Sequence, residues 1–204
     1  MKKYNLGKDE TAEIIDCCVE VLNRPGSVLL APTETVYGLV CRWDDKEAVE
    51  RIYELKGREK AKPLALFTDS VDTLKKFDLY LNKTAEKLAG KLCPGALTIV
   101  VPTPAGDTLG FRIPDHPFIL ELLQKLSYPL ASTSANRSGE ANALDVDAAL
   151  AMLDGEPDVV IDGGVIPPDR QASTVIMALD DNFKILRRGP ISEGQLYSVM
   201  KSGY

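Results

Sequence analysis

The chain has 204 residues, 45% apolar and 26% charged, with 24 Lys and Arg against 30 Asp and Glu for a formal charge of −6. That composition excludes a disordered or fibrous chain, and the acidic balance disfavours adhesion of the whole surface to nucleic acid or an anionic membrane. Four cysteines, Cys17, Cys18, Cys41 and Cys93, lack the paired spacing of a zinc knuckle, so they read as reduced thiols and no metal ligand set is expected.

Residues 1–7 carry no apolar leader, and no apolar run approaches the roughly 20 residues that span a bilayer, which makes cytoplasmic residence the default expectation. From Glu10 to Leu22, Ile14, Ile15, Cys18, Val21 and Leu22 recur at helical spacing until Arg24-Pro25-Gly26 stops the helix. Ser27 to Ala31 reads as a short buried strand, Pro32-Thr33-Glu34 as a turn, and Thr35 to Cys41 as a second strand. Asp44 and Glu47 stand at capping-box spacing, which predicts a helix over Asp45 to Leu55. That helix delivers the chain into Lys56-Gly57-Arg58-Glu59-Lys60-Ala61-Lys62, a basic segment with a glycine exit.

Pro63 to Phe67 is the next expected strand, followed by helical stretches at Val71 to Phe77 and Asn82 to Ala89 and a breaker at Cys93-Pro94-Gly95. Leu97 to Val101 and Leu109 to Ile113 read as strands around a loop, and Pro117 opens a helix that runs through Leu126. Pro129-Leu130-Ala131 is a short strand. Ser132 to Gly139 then holds so many residues that bond their own backbone that a polar loop is expected. A helix at Asp145 to Leu153, a strand at Val159 to Ile161, a late pair at Ser173 to Ala178 and Phe183 to Leu186, and a capped helix from Ser192 complete the chain. Alternating strands and helices with extra late strands predict one α/β domain over residues 1–204, built on a mixed sheet of unspecified order.

Two segments carry the chemical signal. Lys56 and Arg58 can converge on one polyanion, a point charge beside a planar fork, although positive side chains at a helix end also suit the dipole. Ser132, Thr133, Ser134, Asn136 and Ser138 offer hydroxyls, an amide and backbone N–H groups to phosphate oxygens, where a plain helix cap would use one of them. No P-loop, dinucleotide fingerprint or His-Glu metalloprotease spacing is present. His116, the sole histidine, reads as a turn or rim residue ahead of a base, and Glu34 as a cap or solubilising group ahead of a proton acceptor.

Seven stretches in order then resemble one family: Pro32-Thr33-Glu34-Thr35-Val36-Tyr37-Gly38-Leu39, Lys56-Gly57-Arg58 with Lys62-Pro63-Leu64, Pro94-Gly95-Ala96-Leu97-Thr98, Arg112-Ile113-Pro114-Asp115, Ser132 through Gly139, Ser173-Thr174-Val175, and Leu186-Arg187-Arg188-Gly189. Singly weak, together they make the chain similar to the YrdC/Sua5 family, the threonylcarbamoyl-adenylate synthases, with the match centred on residues 25–191. It departs at Glu34, where many relatives have Asp, and at Pro190 after Gly189.

The resemblance implies a twisted mixed sheet flanked by helices around a concave, positively charged cavity, in the short form without an additional C-terminal domain. It implies an enzyme that joins L-threonine, bicarbonate or CO2, and ATP into L-threonylcarbamoyl-adenylate and pyrophosphate, with Mg²⁺ entering on ATP. A downstream tRNA threonylcarbamoyl transferase would take the product to adenosine 37 of tRNA, and weak direct tRNA contact is compatible with the basic segments. By the same resemblance Lys56, Arg58, Ser134 and Asn136 are the catalytic signature, and Lys62, Ser132, Ser173 and Arg187 add contacts to ATP. Thr33, Tyr37, Arg58, Thr98 and Ser173 would shape the threonine pocket.

Three rivals are weighed against that reading. A carbamoyl-adenylate enzyme of hydrogenase maturation would need zinc-finger and acylphosphatase modules, for which the chain has neither the length nor the cysteine spacing. A nonenzymatic RNA-binding protein would use the basic residues at 56–62 and 184–188, against the charge of −6 and the lack of interleaved aromatics. A scaffold subunit would bind neither ATP nor threonine.

Overall fold

A computed structural model describes residues 1–57 and 63–202. Its strands are β1 (Lys2–Asn5), β2 (Leu29–Ala31), β3 (Gly38–Arg42), β4 (Ala65–Phe67), β5 (Leu97–Pro102), β6 (Thr108–Arg112), β7 (Leu130–Ser134), β8 (Val159–Asp162), β9 (Thr174–Ala178) and β10 (Phe183–Arg187). Its helices are α1 (Thr11–Leu22), α2 (Lys46–Lys56), α3 (Val71–Lys76), α4 (Lys83–Leu92), α5 (Pro117–Leu126), α6 (Val146–Ala151) and α7 (Glu193–Lys201). All ten strands form one mixed sheet in the order β1-β8-β2-β3-β7-β4-β6-β5-β9-β10. The pairs β1/β8, β2/β8, β4/β6 and β5/β9 are parallel and the others antiparallel.

The helices start where short polar side chains accept from the first free N–H groups. Ser70, Asn82 and Asp145 cap α3, α4 and α6, and Ser192 with Gln195 closes a full capping box on α7. At α2 the cap is Asp45, whose Oδ1 accepts from Ala48 N at 3.1 Å, whereas Asp44 pairs with Arg42. A carboxylate one residue earlier is drawn off by a guanidinium on the adjoining strand, so the predicted capping position shifts by one.

Strand alternation divides the core between the two faces of the sheet. Leu30, Leu39, Ala131, Phe111, Ile99 and Ile176 pack on one face against α2, α3, α4, α6 and α7. Leu29, Val40, Leu130, Val159 and Ile161 pack on the other against α1 and α5. These two helices cover only the half of that face nearest β1. Beyond them the same face of β6, β5 and β9 carries Thr108, Gly110, Arg112, Thr98, Val100 and Val175 in place of a packed apolar layer, and there the sheet opens into a cavity.

Three elements differ from expectation. Strand β3 begins only at Gly38, because Thr33 holds Thr35 and Val36 in the preceding turn. Lys2–Asn5 pairs in parallel with β8 although its sequence is short, charged and almost without apolar signal. Strand β7 continues through Ser132, Thr133 and Ser134, because β3 and β4 flank it and supply the backbone partners that a hydroxyl-rich segment would otherwise find in a loop.

Candidate active site

The cavity holds about 300 Å³ and is walled by the turn between β2 and β3, the ends of β4 and β7, the bare face of β5, β6 and β9, and the last residue of β10. Its wall is rich in hydroxyls. Thr33, Thr35, Thr98, Thr108, Ser132, Thr133, Ser134 and Ser173 face it, and the charged side chains among its described lining residues are Arg112 and Arg187.

The β2–β3 turn is held by its own side chains. Thr33 Oγ1 accepts from Thr35 N and Val36 N, both at 3.1 Å, and donates to Val36 O at 2.7 Å. Thr35 Oγ1 lies 2.9 Å from Thr33 Oγ1 and accepts from Arg112 Nη1 at 3.0 Å. Arg112 is 5% exposed, donates through Nε to Gly95 O at 3.1 Å, and forms an ion pair through Nη2 with Glu34 Oε1. Its guanidinium lies over the Phe67 ring, 5.7 Å from the centroid.

Across the cavity, Thr98 Oγ1 and Ser173 Oγ are 2.8 Å apart. Arg187 donates through Nε and Nη2 to Ser173 O at 3.1 and 2.9 Å, and through Nη2 to Ser173 Oγ at 3.1 Å. Burial, and then the Arg112 charge, pull the Arg187 pKa down. Two guanidiniums thus face one space, Arg112 with Glu34 as its counter-ion.

The C-terminus of α2 meets the end of β7. Gly57 takes the left-handed conformation, φ 54°, that closes the helix, and its N–H returns to Glu54 O at 3.0 Å. Lys56, 1% exposed, points back: Nζ donates to Ser134 O and, at 2.6 Å, to Asn136 O. Asn136 Nδ2 donates to Arg137 O at 3.1 Å and Glu140 O at 2.7 Å, while Ser134 Oγ donates to Asn136 Oδ1. Only Ser134 of this trio reaches the cavity wall.

The structure thus brings Lys56, Ser134 and Asn136 into direct contact, and sets Thr33, Thr98, Ser132, Ser173 and Arg187 around the cavity. Tyr37 is 1% exposed and turned into the core, its hydroxyl donating to Gly164 O at 2.7 Å and accepting from Gly163 N at 3.0 Å. Burial pushes its pKa up to about 12, so it stays a neutral brace rather than a wall residue. Arg58 and Lys62 lie outside the described residues.

Sequence reasoning missed Arg112 as a site residue. The signal was there: in Thr108-Leu109-Gly110-Phe111-Arg112, Phe111 enters the core while Thr108, Gly110 and Arg112 share the opposite face. A strand that alternates apolar residues with a hydroxyl, a glycine and a cation marks a face turned to a ligand.

The family model Sua5_yciO_yrdC, described as telomere recombination, matches residues 21–189. The chain is 33% identical over 189 residues to the threonylcarbamoyl-AMP synthase of Bacillus subtilis (strain 168), covering 88% of this chain and 54% of that protein. To a putative threonylcarbamoyl-AMP synthase of Methanocaldococcus jannaschii it is 33% identical over 199 residues, 94% of this chain and 93% of that one. A crystal structure of P. abyssi Sua5 complexed with L-threonine superposes with a TM-score of 0.84 at 29% identity, over 98% of this chain and 60% of that chain. The chain therefore spans about half the length of the Bacillus relative. A mixed sheet left bare on one half-face, with hydroxyls and guanidiniums where a packed layer would lie, and a match over most of the sequence lead to one conclusion: the chain belongs to the Sua5/YciO/YrdC family.

Proposed function

We propose that the protein is an L-threonylcarbamoyl-adenylate synthase, which joins L-threonine and bicarbonate or CO2 to the adenylyl group of ATP and releases pyrophosphate. The observation that carries this reading is the half-bare sheet face, whose hydroxyl wall holds Arg112 and Arg187 as its described charged groups. Two guanidiniums on such a wall would suit a carboxylate, a carbamate and phosphates together. The relatives bearing that name and the threonine complex of P. abyssi Sua5 support it.

Arg112, anchored at its base and open towards the cavity, takes the threonine carboxylate. Thr98 and Ser173 border the amino-acid end. Arg187, Ser132 and Ser134 line the path of the phosphates, joined by Arg58 and Lys62 of the basic segment. Lys56 and Asn136 act one step back: they fix the turn that presents Ser134 and place a cation behind the phosphate path. Thr33 spends its hydroxyl within the β2–β3 turn and shapes the wall.

The threonine ammonium gives up a proton to solvent. The free amine adds to CO2 with loss of a second proton, or to bicarbonate with loss of water, and an oxygen of the resulting carbamate then attacks the α-phosphorus as pyrophosphate leaves. Positioning and positive charge at the phosphoryl oxygens are what the wall contributes. Among the described residues no group of three or more His, Cys, Asp or Glu could hold a metal ion. By the same reading Mg²⁺ would enter on ATP, where it would offset phosphate charge. The product is a labile mixed anhydride, which suits a transferase that passes it to tRNA.

Pyrophosphate release measured with and without each substrate tests the reading. Release that requires both L-threonine and bicarbonate supports it, and release indifferent to threonine overturns it.

A further inference from the structure

We infer that Glu34 is a positioning residue that fixes the Arg112 guanidinium for the carboxylate of the amino-acid substrate; the inference rests on the function proposed above. A guanidinium has five N–H groups. Arg112 commits three of them to Gly95 O, Thr35 Oγ1 and Glu34 Oε1. The remaining two, unclaimed among the described residues, are one on each terminal nitrogen of a side chain that lines the cavity, and they are the groups with which a guanidinium receives a carboxylate.

Glu34 itself does not line the cavity, so it acts through Arg112. Its side chain is 16% exposed, and its second oxygen, Oε2, is buried without a hydrogen-bond partner among the described residues. An ion pair serving stability alone would satisfy both oxygens, because a buried unpaired acceptor is costly. Here one oxygen is left orphaned while the other meets the guanidinium edge. The arrangement holds a cation in place at the expense of complete pairing, and places a negative charge behind two like charges that share the cavity.

The backbone of the same residue ties in a second wall. Glu34 O accepts from Arg170 Nη1 at 3.2 Å, and the segment that carries Arg170 runs on through Ala172 and Ser173 to the far side of the cavity. Removing the Glu34 side chain leaves this backbone contact intact and frees only the guanidinium, so the effect should fall on the amino-acid end.

The test is steady-state pyrophosphate release by Glu34→Ala, Glu34→Gln and Glu34→Asp, with far-UV circular dichroism as the check of folding. In Glu34→Ala the KM for L-threonine should rise roughly 10- to 100-fold, the span of a charge-assisted hydrogen bond, with the KM for ATP changed less than about 2-fold. Glu34→Asp, which keeps the charge, should recover part of the loss. If Glu34→Ala does not fold, the isosteric Glu34→Gln is read in the same way. Unchanged threonine KM in a folded Ala or Gln variant, or equal losses for threonine and ATP, overturns the inference.

Side-chain ¹⁵N NMR of Arg112 separates this outcome from failure of the proposed function. Slow rotation about the Cζ–Nη2 bond in the unmodified protein that becomes fast in Glu34→Ala, or in Glu34→Gln where that variant alone folds, supports positioning even where no threonine-dependent release is seen. An Arg112 signal that the substitution leaves unchanged contradicts it.

Discussion

A lysine ammonium has three N–H groups, and Lys56 gives two of them to the carbonyls of Ser134 and Asn136. Those carbonyls end the strand whose hydroxyls face the cavity. Lys56→Met keeps much of the apolar stem but orphans both oxygens in a site 1% exposed. The expected loss is about 2–4 kcal/mol of stability, from two unsatisfied buried acceptors, with pyrophosphate release reduced by about 10²-fold or more as Ser134 loses its place. Urea unfolding and initial rates measured on one preparation check both; lower activity at full stability would show that Lys56 acts only on the ligand. The sequence alone suggests a Lys56 variant with an intact fold, since a cation after a helix reads as exposed. The side chain instead reaches β7 and is buried there, which spacing reveals only once the partner strand is known.

His116 shows a second burial effect at the residue scale. Desolvation lowers its pKa despite the opposing pull of Glu34 and Asp115, and Nδ1 has no partner among the described residues. The folded state thus binds its proton less readily than the unfolded state, whose histidine titrates near its ordinary value of about 6.5. As pH falls below that value the unfolded state gains the proton first, so stability declines until the depressed folded pKa is passed. Denaturant unfolding at pH 7 and pH 5 should show a decline in the unmodified protein that exceeds the decline in His116→Gln, by at most about 1.4 kcal/mol per pH unit. Equal declines would mean that the ring is solvated.

Among the elements, the junction of β9 and β10 sets the far wall. Gly189 follows β10 and passes so close to the start of β9 that a Cβ there would lie 2.5 Å from Ala172 O and from Thr174 N. Backbone on both sides leaves no flexible atom to yield. Gly189→Ala should therefore displace Ser173, and with it Thr98 and Arg187, lowering pyrophosphate release at least about 10-fold, at a cost of about 1–3 kcal/mol in stability as overpacking gives. Retained activity would show that the wall tolerates the shift. This contact gives a physical reason for the Leu186-Arg187-Arg188-Gly189 stretch, which sequence reading could only quote as part of a resemblance.

Legibility at the same scale followed local signals. α1 declared itself through its period, α5 through Pro117 and its apolar face and α7 through its cap, and the late hairpin through two apolar runs around Asp180-Asp181-Asn182. Strand β1 and the extension of β7 did not. In both, the decisive partners come from distant parts of the chain, and no local pattern records them.

For the molecule as a whole, the order of the sheet was hidden for the same reason: β5 pairs with β9, and β1 with β8, across long stretches of sequence. The consequence of that order was hidden too. α1 and α5 cover one half of a face and leave the other half to Thr98, Arg112, Ser173 and Arg187, residues drawn from four separate segments. Lys56, Ser134 and Asn136 could be singled out because hydroxyls and cations cluster locally around them, whereas Arg112 sits alone in its stretch and becomes visible only when alternation is followed to the open face. That open face is the basis of the proposed synthase.

Incubation of the protein with L-threonine, Mg-ATP and ¹³C-bicarbonate, quenched within seconds and read by mass spectrometry, addresses it most directly. The expected product is an adenylate carrying the mass of threonine and one ¹³C, absent without threonine and weak with serine. An adenylate that lacks the labelled carbon, or none at all while pyrophosphate is released, would contradict the proposed function.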